Sequence, residues 1–98
     1  MEHIEFEYPA ATRSIAKEAH VGVVGSGDME VLMEPSSTKG AHVSITTSVN
    51  GFRDSWKAVF DRFFAKFDGA VSITINDAGA TPGSVSLRLE QAVEVIEQ

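Results

Sequence analysis

Residues 52–67 read FRDSWKAVFDRFFAKF, and the spacing of their aromatic side chains is the clearest structural signal in the chain. Apolar residues recur at steps of three and four, which is the period of one face of an α-helix, and charged residues fill the opposite face. The pattern predicts an amphipathic helix that is closed by Asp68-Gly69, with Gly69 in the left-handed conformation common after helices. The predicted apolar face consists of Phe52, Trp56, Val59, Phe60, Phe63, Phe64 and Phe67.

Before this helix the hydrophobic period is two, which is typical of half-buried β-strands. Because the intervening residues are largely polar, we expect antiparallel strands with one covered face and one wet face. Turn-forming residues at 25–28 and 35–40 interrupt the pattern and predict a tight loop and a longer one. The alternating positions are Ile4, Phe6 and Tyr8; Val21 and Val23; Met29, Val31 and Met33; and Val43, Ile45, Thr47 and Val49.

After the helix, Val71, Ile73 and Ile75 predict a fifth strand. Thr81 as N-cap and Pro82 at the first helical position then predict a second helix, although residues 84–89 also alternate like a strand. Its apolar face would hold Val85, Leu89, Ala92, Val93 and Ile96. The expected fold is an α+β two-layer sandwich, in which a mostly antiparallel sheet of about five strands carries two helices on one face.

The chain has 98 residues, which we expect to form a single domain over residues 1–98. Its net charge is −6 and its eight Lys and Arg residues are scattered, so nucleic acid is an unexpected partner. No apolar run approaches the ~20 residues of a membrane span. With no cysteine the chain offers no thiolate and no disulfide, and together these features favour a cytoplasmic protein.

No motif predicts a catalytic or metal site. His3, His20 and His42 do not stand at spacings that put two metal ligands on one helical face. The glycines of residues 22–27 have the wrong spacing for a dinucleotide loop and precede a strand instead of a helix. A nucleophile elbow around the serine of this stretch would need glycines at the positions of Val24 and Asp28.

Ser26 lies between Gly25 and Gly27 and ahead of Asp28, at the tip of a predicted hairpin that joins residues 21–24 to residues 29–32. Taken alone, these residues are explained by a β-turn, since glycine and aspartate are common in turns. The same residues would suit a modification site, because flanking glycines let another protein's active site close over an exposed hydroxyl. These residues by themselves are compatible with both a plain β-turn and a modification site.

Four blocks of sequence, in order along nearly the whole chain, bear on this choice. They are VGVVGSGDMEVLMEP at 21–35, TSVNG at 47–51, DAGATPG at 77–83 and LRLEQ at 87–91. Together they resemble the acyl carrier subunits, or delta subunits, of malonate decarboxylase. The resemblance implies that Ser26, flanked by Gly25, Gly27 and Asp28, carries 2′-(5″-phosphoribosyl)-3′-dephospho-CoA through a phosphodiester bond.

The resemblance also implies partners. A dedicated transferase would attach the prosthetic group, and malonyl and acetyl groups would be carried on it as thioesters. The acyl transferase and carboxy-lyase subunits of the complex would then exchange acetyl for malonyl and release carbon dioxide. The chain itself would be a non-catalytic carrier.

Two alternatives remain at this stage. The acyl carrier (gamma) subunit of citrate lyase bears the same group on a serine in a similar loop, but there we expect Glu-Ser before the aspartate. The second is a non-enzymatic interaction or regulatory domain in which Ser26 is unmodified. Asn50-Gly51 and residues 77–83 are expected to provide turn and helix-start chemistry only.

Overall fold

The computed structural model describes all residues from 1 to 98 and contains five strands and two helices. In chain order these are β1 (Glu2–Tyr8), β2 (Ala19–Gly22), β3 (Met29–Pro35), β4 (Ala41–Thr47), α1 (Arg53–Lys66), β5 (Val71–Asp77) and α2 (Pro82–Ile96). The predicted α+β class and the number of elements are confirmed. Neither helix has the length and apolar composition that crossing a bilayer requires.

The strands form one sheet in the order β1-β4-β5-β3-β2. All neighbouring pairs are antiparallel except β4 and β5, which run parallel. Parallel neighbours cannot be joined by a tight hairpin, and α1 supplies the crossover between them. The sheet is therefore mostly antiparallel, as predicted, with one parallel pair at its centre.

The core lies on one face of the sheet. Five residues in register, one from each strand, are all buried on that face: Phe6, Val43, Ile73, Met33 and Ala19. The next register row carries more polar and less buried residues, which gives the sheet its second, wetter face. Helix α1 packs beside β1 and α2, and α2 covers β2 and β3, so both helices lie over the buried face.

Helix α1 contributes the aromatic centre of this core. Phe60 is fully buried, and its ring centroid lies 6.4 Å from that of Phe6 and 6.5 Å from that of Trp56. Phe52, by contrast, is the N-cap residue and is 51% exposed, because it precedes the first helical turn. The predicted apolar face is thus confirmed from Trp56 onward, but Phe52 lies outside it.

The predicted role of Gly69 in ending α1 is wrong. The helix ends at Lys66, and Phe67 already has extended backbone angles of φ −111° and ψ 119°. Gly69 does not adopt the left-handed conformation. Its small size is required instead, since a Cβ at this position would lie 2.4 Å from the Phe67 ring.

The predicted hairpin around Ser26 is also wider than expected. Strand β2 ends at Gly22, whose φ of +83° turns the chain out of the sheet, and a Cβ there would lie 2.1 Å from the carbonyl oxygen of Met29. Val23 and Val24 are therefore outside the strand and are 61% and 62% exposed. Val49 likewise falls beyond the end of β4.

Helix α2 begins as predicted. The hydroxyl of Thr81 accepts a hydrogen bond from the Ser84 backbone N–H at 3.1 Å, and Pro82 occupies the first helical turn. Val85 and Leu89 are buried one helical turn apart, whereas Leu87 between them is exposed. The alternation of residues 84–89 therefore does not mark a strand, because the buried residues are spaced by four positions, which is the helical period, and the apolar Leu87 lies on the outer face.

Candidate functional site

Ser26 occupies a β-turn on the surface. The Asp28 backbone N–H donates to the Gly25 carbonyl oxygen at 2.9 Å, which closes the turn around Ser26 and Gly27. Gly27, at the third position, has a φ of +76°, as a type II turn requires of that residue. Both Ser26 and Gly27 are exposed. The turn therefore presents the Ser26 hydroxyl at the surface, with glycines on both sides.

The backbone of this turn is attached to the connection between β5 and α2. Gly27 N–H donates to the Ala78 carbonyl at 2.7 Å, and Ala78 N–H donates to the Asp28 carbonyl at 2.9 Å. These two bonds extend the pairing of β3 with β5 past the end of the sheet. The segment that carries Ser26 is therefore held in place on the C-terminal side of the serine.

Asp28 adds a side-chain attachment to the same loop. Arg88 on α2 donates from Nη2 to Oδ2 of Asp28 at 2.6 Å and from Nε to Oδ1 at 3.1 Å. The Met29 backbone N–H also donates to Oδ1, at 2.7 Å. The Arg88 guanidinium, and then the Met29 N–H, lower the pKa of the Asp28 carboxyl, and the carboxylate raises the pKa of Arg88. Asp28 is consequently a charged structural anchor of the loop.

Asp77 organises the connection to which the loop is attached. It is a buried carboxylate at the end of β5, and it accepts from the Gly79 and Ala80 backbone N–H groups at 3.1 and 3.0 Å. The hydroxyl of Thr47 at the end of β4 donates to it at 2.8 Å. A buried carboxylate that has three such donors is well compensated. Asp77 thus ties the ends of β4 and β5 to the start of α2.

Asn50-Gly51 has a more modest role. Gly51 has a φ of +90°, and its backbone N–H donates to Oε1 of Glu2 at 3.1 Å. This arrangement turns the chain from β4 into α1 and links the turn to the first strand. Together with the capping by Thr81, it accounts for both segments as turn and helix-start structure.

The histidines are engaged away from the Ser26 turn. His3 contacts Glu5 and Thr46, His20 contacts Glu30, and His42 contacts Thr38 and Glu7. Each has therefore at least one ring nitrogen in contact with a polar side chain on the polar face of the sheet. No group of three His, Cys, Asp or Glu side chains is arranged to hold a metal ion.

Of the side chains that contact the Ser26 turn, Arg88 is one that the spacing of residues in the sequence did not predict. It lies within the LRLEQ block, but nothing in its local pattern links it to Asp28, from which it is separated by 60 positions. The predicted set, Gly25, Ser26, Gly27 and Asp28, is contiguous and forms one turn. The structure adds Arg88, Ala78 and Asp77 as its supports.

Comparison with known proteins extends this description. Residues 16–96 match the family model of the malonate decarboxylase delta subunit (MdcD). The chain is 46% identical over 97 residues to the malonate decarboxylase acyl carrier protein of Azotobacter vinelandii, and 50% identical over 97 residues to that of Pseudomonas savastanoi pv. phaseolicola. Each alignment covers 98% of this chain and 97% of the relative.

A solved structure agrees with these relatives. A chain in the crystal structure of a Pseudomonas malonate decarboxylase hetero-tetramer in complex with malonate superposes with a TM-score of 0.90 at 46% identity. The match covers 98% of this chain and 99% of that one. The fold and the relatives together define an acyl carrier protein. More particularly, the chain belongs to the family of malonate decarboxylase delta subunits.

Proposed function

We propose that this acyl carrier subunit bears 2′-(5″-phosphoribosyl)-3′-dephospho-CoA on the Ser26 hydroxyl, through a phosphodiester that replaces the hydroxyl proton. The observation that supports it is an exposed serine at a glycine-flanked turn whose C-terminal side is fixed to the sheet by two backbone hydrogen bonds. Such a turn can enter another protein's active site without losing its position on the scaffold.

The glycines on either side of Ser26 lie in open space, which supports attachment of a bulky group there. A Cβ built on Gly27 would meet no atom within 4 Å, and one on Gly25 would meet only a methyl carbon of Val23, at 3.7 Å. Neither neighbour therefore crowds the Ser26 oxygen. Asp28, which would repel a nearby phosphodiester if free, is paired with Arg88, so the charge next to the attachment point is balanced.

The chemistry that the group supplies is a thiol on a long arm, on which malonyl and acetyl groups are carried as thioesters. The chain contains no cysteine, so this would be the only thiol of the modified protein. The residues of the chain provide position: the turn presents Ser26, and Asp28, Arg88 and Ala78 hold the turn. We propose no catalytic residue in this chain.

The partners in this proposal are the acyl transferase and carboxy-lyase subunits of a malonate decarboxylase, together with the transferase that attaches the group. The hetero-tetrameric relative supports the assembly with other subunits. Val23 and Val24, next to Ser26, and Leu87, next to Arg88, are exposed apolar side chains. Val23 and Val24 offer exposed apolar contacts in the same loop as the serine for an enzyme that must close over it, and Leu87 offers another on α2.

The test is the intact mass of the protein after co-expression with the prosthetic-group transferase and the enzyme that makes its precursor. We expect one adduct on the wild type and on Ser37→Ala, which removes an exposed serine in the loop after β3, and none on Ser26→Ala. An unmodified wild type, obtained while the transferase modifies a known carrier, would contradict the proposal and favour an interaction domain. Modification only by the citrate lyase machinery would contradict the transferase partner proposed here.

A further inference from the structure

A cleft opens beside the Ser26 loop, between the N-terminal turns of α1 and α2. Its volume is about 300 Å³, and its floor is formed by Thr47 and Asp77 at the ends of β4 and β5. The apolar side chains of its walls and rim are Val49, Phe52, Trp56, Val59, Ala80, Pro82 and Val85. Neither the Ser26 turn nor the hydrogen bonds that hold it occupy this cleft.

The cleft adjoins the turn that carries Ser26. Gly79 lines it, and a Cβ on Gly79 would lie 3.9 Å from the backbone nitrogen of Gly27. Gly27 is also hydrogen-bonded to Ala78, the residue before Gly79. A group attached to Ser26 is therefore tethered at the edge of the cleft, and tethering raises its local concentration there without any further contact.

The rim leaves apolar surface uncovered. Phe52 is about half exposed and Val49 is 39% exposed, although both line the same cleft as the buried Trp56. Burying such surface is favourable, at roughly 25 cal/mol per Å². A ligand with a small apolar end would therefore be stabilised by entering between these side chains.

The charges of the lining restrict what can enter. No Lys or Arg lines the cleft, and its one ionisable group is Asp77. Both oxygens of that carboxylate are engaged, Oδ1 with Ala80 N–H and Oδ2 with Gly79 N–H and the Thr47 hydroxyl. The N-terminal turns of the two helices would favour an anion, but the N–H groups of Gly79 and Ala80 before α2 are already taken by Asp77, and Asp54 in the first turn of α1 offsets the dipole of that helix. A second carboxylate would therefore give up its hydration beside Asp77 without a cation to compensate it, whereas a neutral group would not.

We propose that this cleft receives the end of the arm attached to Ser26 when that end is the free thiol or the acetyl thioester, and excludes it when it carries the malonyl carboxylate. This inference rests on the proposed function. The neutral forms would be shielded from water between reactions. The malonyl form would stay outside, where the decarboxylating subunit can reach it.

The chain provides two intrinsic reporters for the test. It has no cysteine, so an alkylating reagent such as iodoacetamide reports only on the thiol of the arm. Its single tryptophan, Trp56, lines the cleft, so the emission of Trp56 reports on occupancy. The modified protein is first verified by intact mass, which tests the proposed function separately.

Blocking the cleft should expose the thiol. Ser55, an exposed residue of α1 that lines the cleft, is replaced in Ser55→Phe; Ala58→Phe places the same side chain on an exposed position of α1 outside the cleft. If the thiol is inside for about two-thirds of the time, its alkylation is slowed about threefold. We expect this protection in the wild type and in Ala58→Phe, and its loss in Ser55→Phe.

The proposed exclusion of the malonyl carboxylate from the cleft is tested with acetylated and malonylated protein prepared chemically. Acetylated protein should show the Trp56 emission of the occupied cleft, and malonylated protein that of the unmodified chain. Val49→Lys places a cation at the rim and should admit the malonyl form. Val95→Lys is the control, since Val95 lies on α2 outside the cleft and is 38% exposed, like Val49; this variant should not admit the malonyl form.

Four results would overturn the inference. Equal alkylation rates for wild type and Ser55→Phe, on protein whose adduct is verified by mass, would refute it and leave the proposed function intact. Identical Trp56 emission for the acetyl and malonyl forms would refute the proposed exclusion of the malonyl carboxylate. If the Trp56 emission of the unmodified chain varied with protein concentration, a second copy of the chain would be the occupant of the cleft. Absence of any adduct would remove the proposed function and this inference together.

Discussion

Arg88 holds the carboxylate of Asp28 through two hydrogen bonds, of 2.6 and 3.1 Å, and thereby joins helix α2 to the turn that presents Ser26. The two residues are 60 positions apart in the chain. An arginine fork on a carboxylate fixes direction as well as distance. The serine loop is consequently supported by a helix as well as by the sheet.

Arg88→Ala is expected to loosen this loop without unfolding the protein, because both partners are only partly buried. Hydrogen exchange at the Gly27 and Asp28 amides should accelerate severalfold, while exchange in β4 and β5 stays unchanged. Arg88→Lys should give an intermediate rate, since lysine keeps the charge but cannot form the two-pronged contact. Unaltered exchange at Gly27 in Arg88→Ala would show that the backbone bonds to Ala78 hold the loop alone.

Acid should weaken the fold through the same carboxylate. The pKa of Asp28 is lowered in the folded protein, chiefly by Arg88, so its contribution to stability is complete above its ordinary value of 3.8 and is lost as the pH falls through the folded-state pKa. Asp68, beside Arg13, also has a lowered pKa and acts in the same sense. Urea unfolding at a series of pH values should therefore show the free energy of unfolding falling below about pH 4.

The variant that checks this assignment is Asp28→Asn, which should show a shallower loss of stability on acidification than the wild type. Asp54→Asn is a suitable comparison, because it alters an exposed acidic residue in the first turn of α1. If Asp28→Asn followed the wild-type pH dependence throughout, the lowered pKa of Asp28 would be contradicted.

Phe60→Ala should destabilise the protein by about 3–5 kcal/mol, the range measured for removing a buried phenylalanine ring. Phe60 is fully buried and lies among four other aromatic rings. Phe52→Ala provides the control, as Phe52 is half exposed and the loss should be far smaller. Urea denaturation measures both, with Phe60→Leu in reserve if the alanine variant does not fold. Similar losses for Phe60 and Phe52 would contradict the position of the core.

Two glycines of the serine loop should respond differently to alanine. Gly22 and Gly27 both have positive φ, which costs other residues about 1–2 kcal/mol. A Cβ at Gly22 would also collide with the Met29 carbonyl, whereas one at Gly27 meets nothing within 4 Å. Gly22→Ala should therefore lose clearly more stability in thermal unfolding than Gly27→Ala. Equal losses would mean that backbone strain alone governs both positions.

Much of the architecture follows from local patterns. The three-and-four spacing from Trp56 to Phe67 and the alternation from Met29 to Met33 are properties of neighbouring residues, and they predict helix and strand correctly. Element ends were less predictable. Gly69 is required by the Phe67 ring and Gly22 by the Met29 carbonyl, and both contacts involve the path of the chain in space.

Sequence alone was sufficient for the α+β class, the helix start at Thr81 and the turn around Ser26, because each depends on residues close together in the chain. It was also sufficient for the family resemblance, because the order of short blocks along the chain is itself a property of the sequence. The tertiary structure was needed for the parallel pairing of β4 with β5, the Asp28–Arg88 contact and the cleft beside Gly79. These features join segments that are distant in sequence. Their geometry arises only when the whole sheet has formed and the two helices have packed on it. The hydrophobic spacing of neighbouring residues therefore cannot predict these contacts.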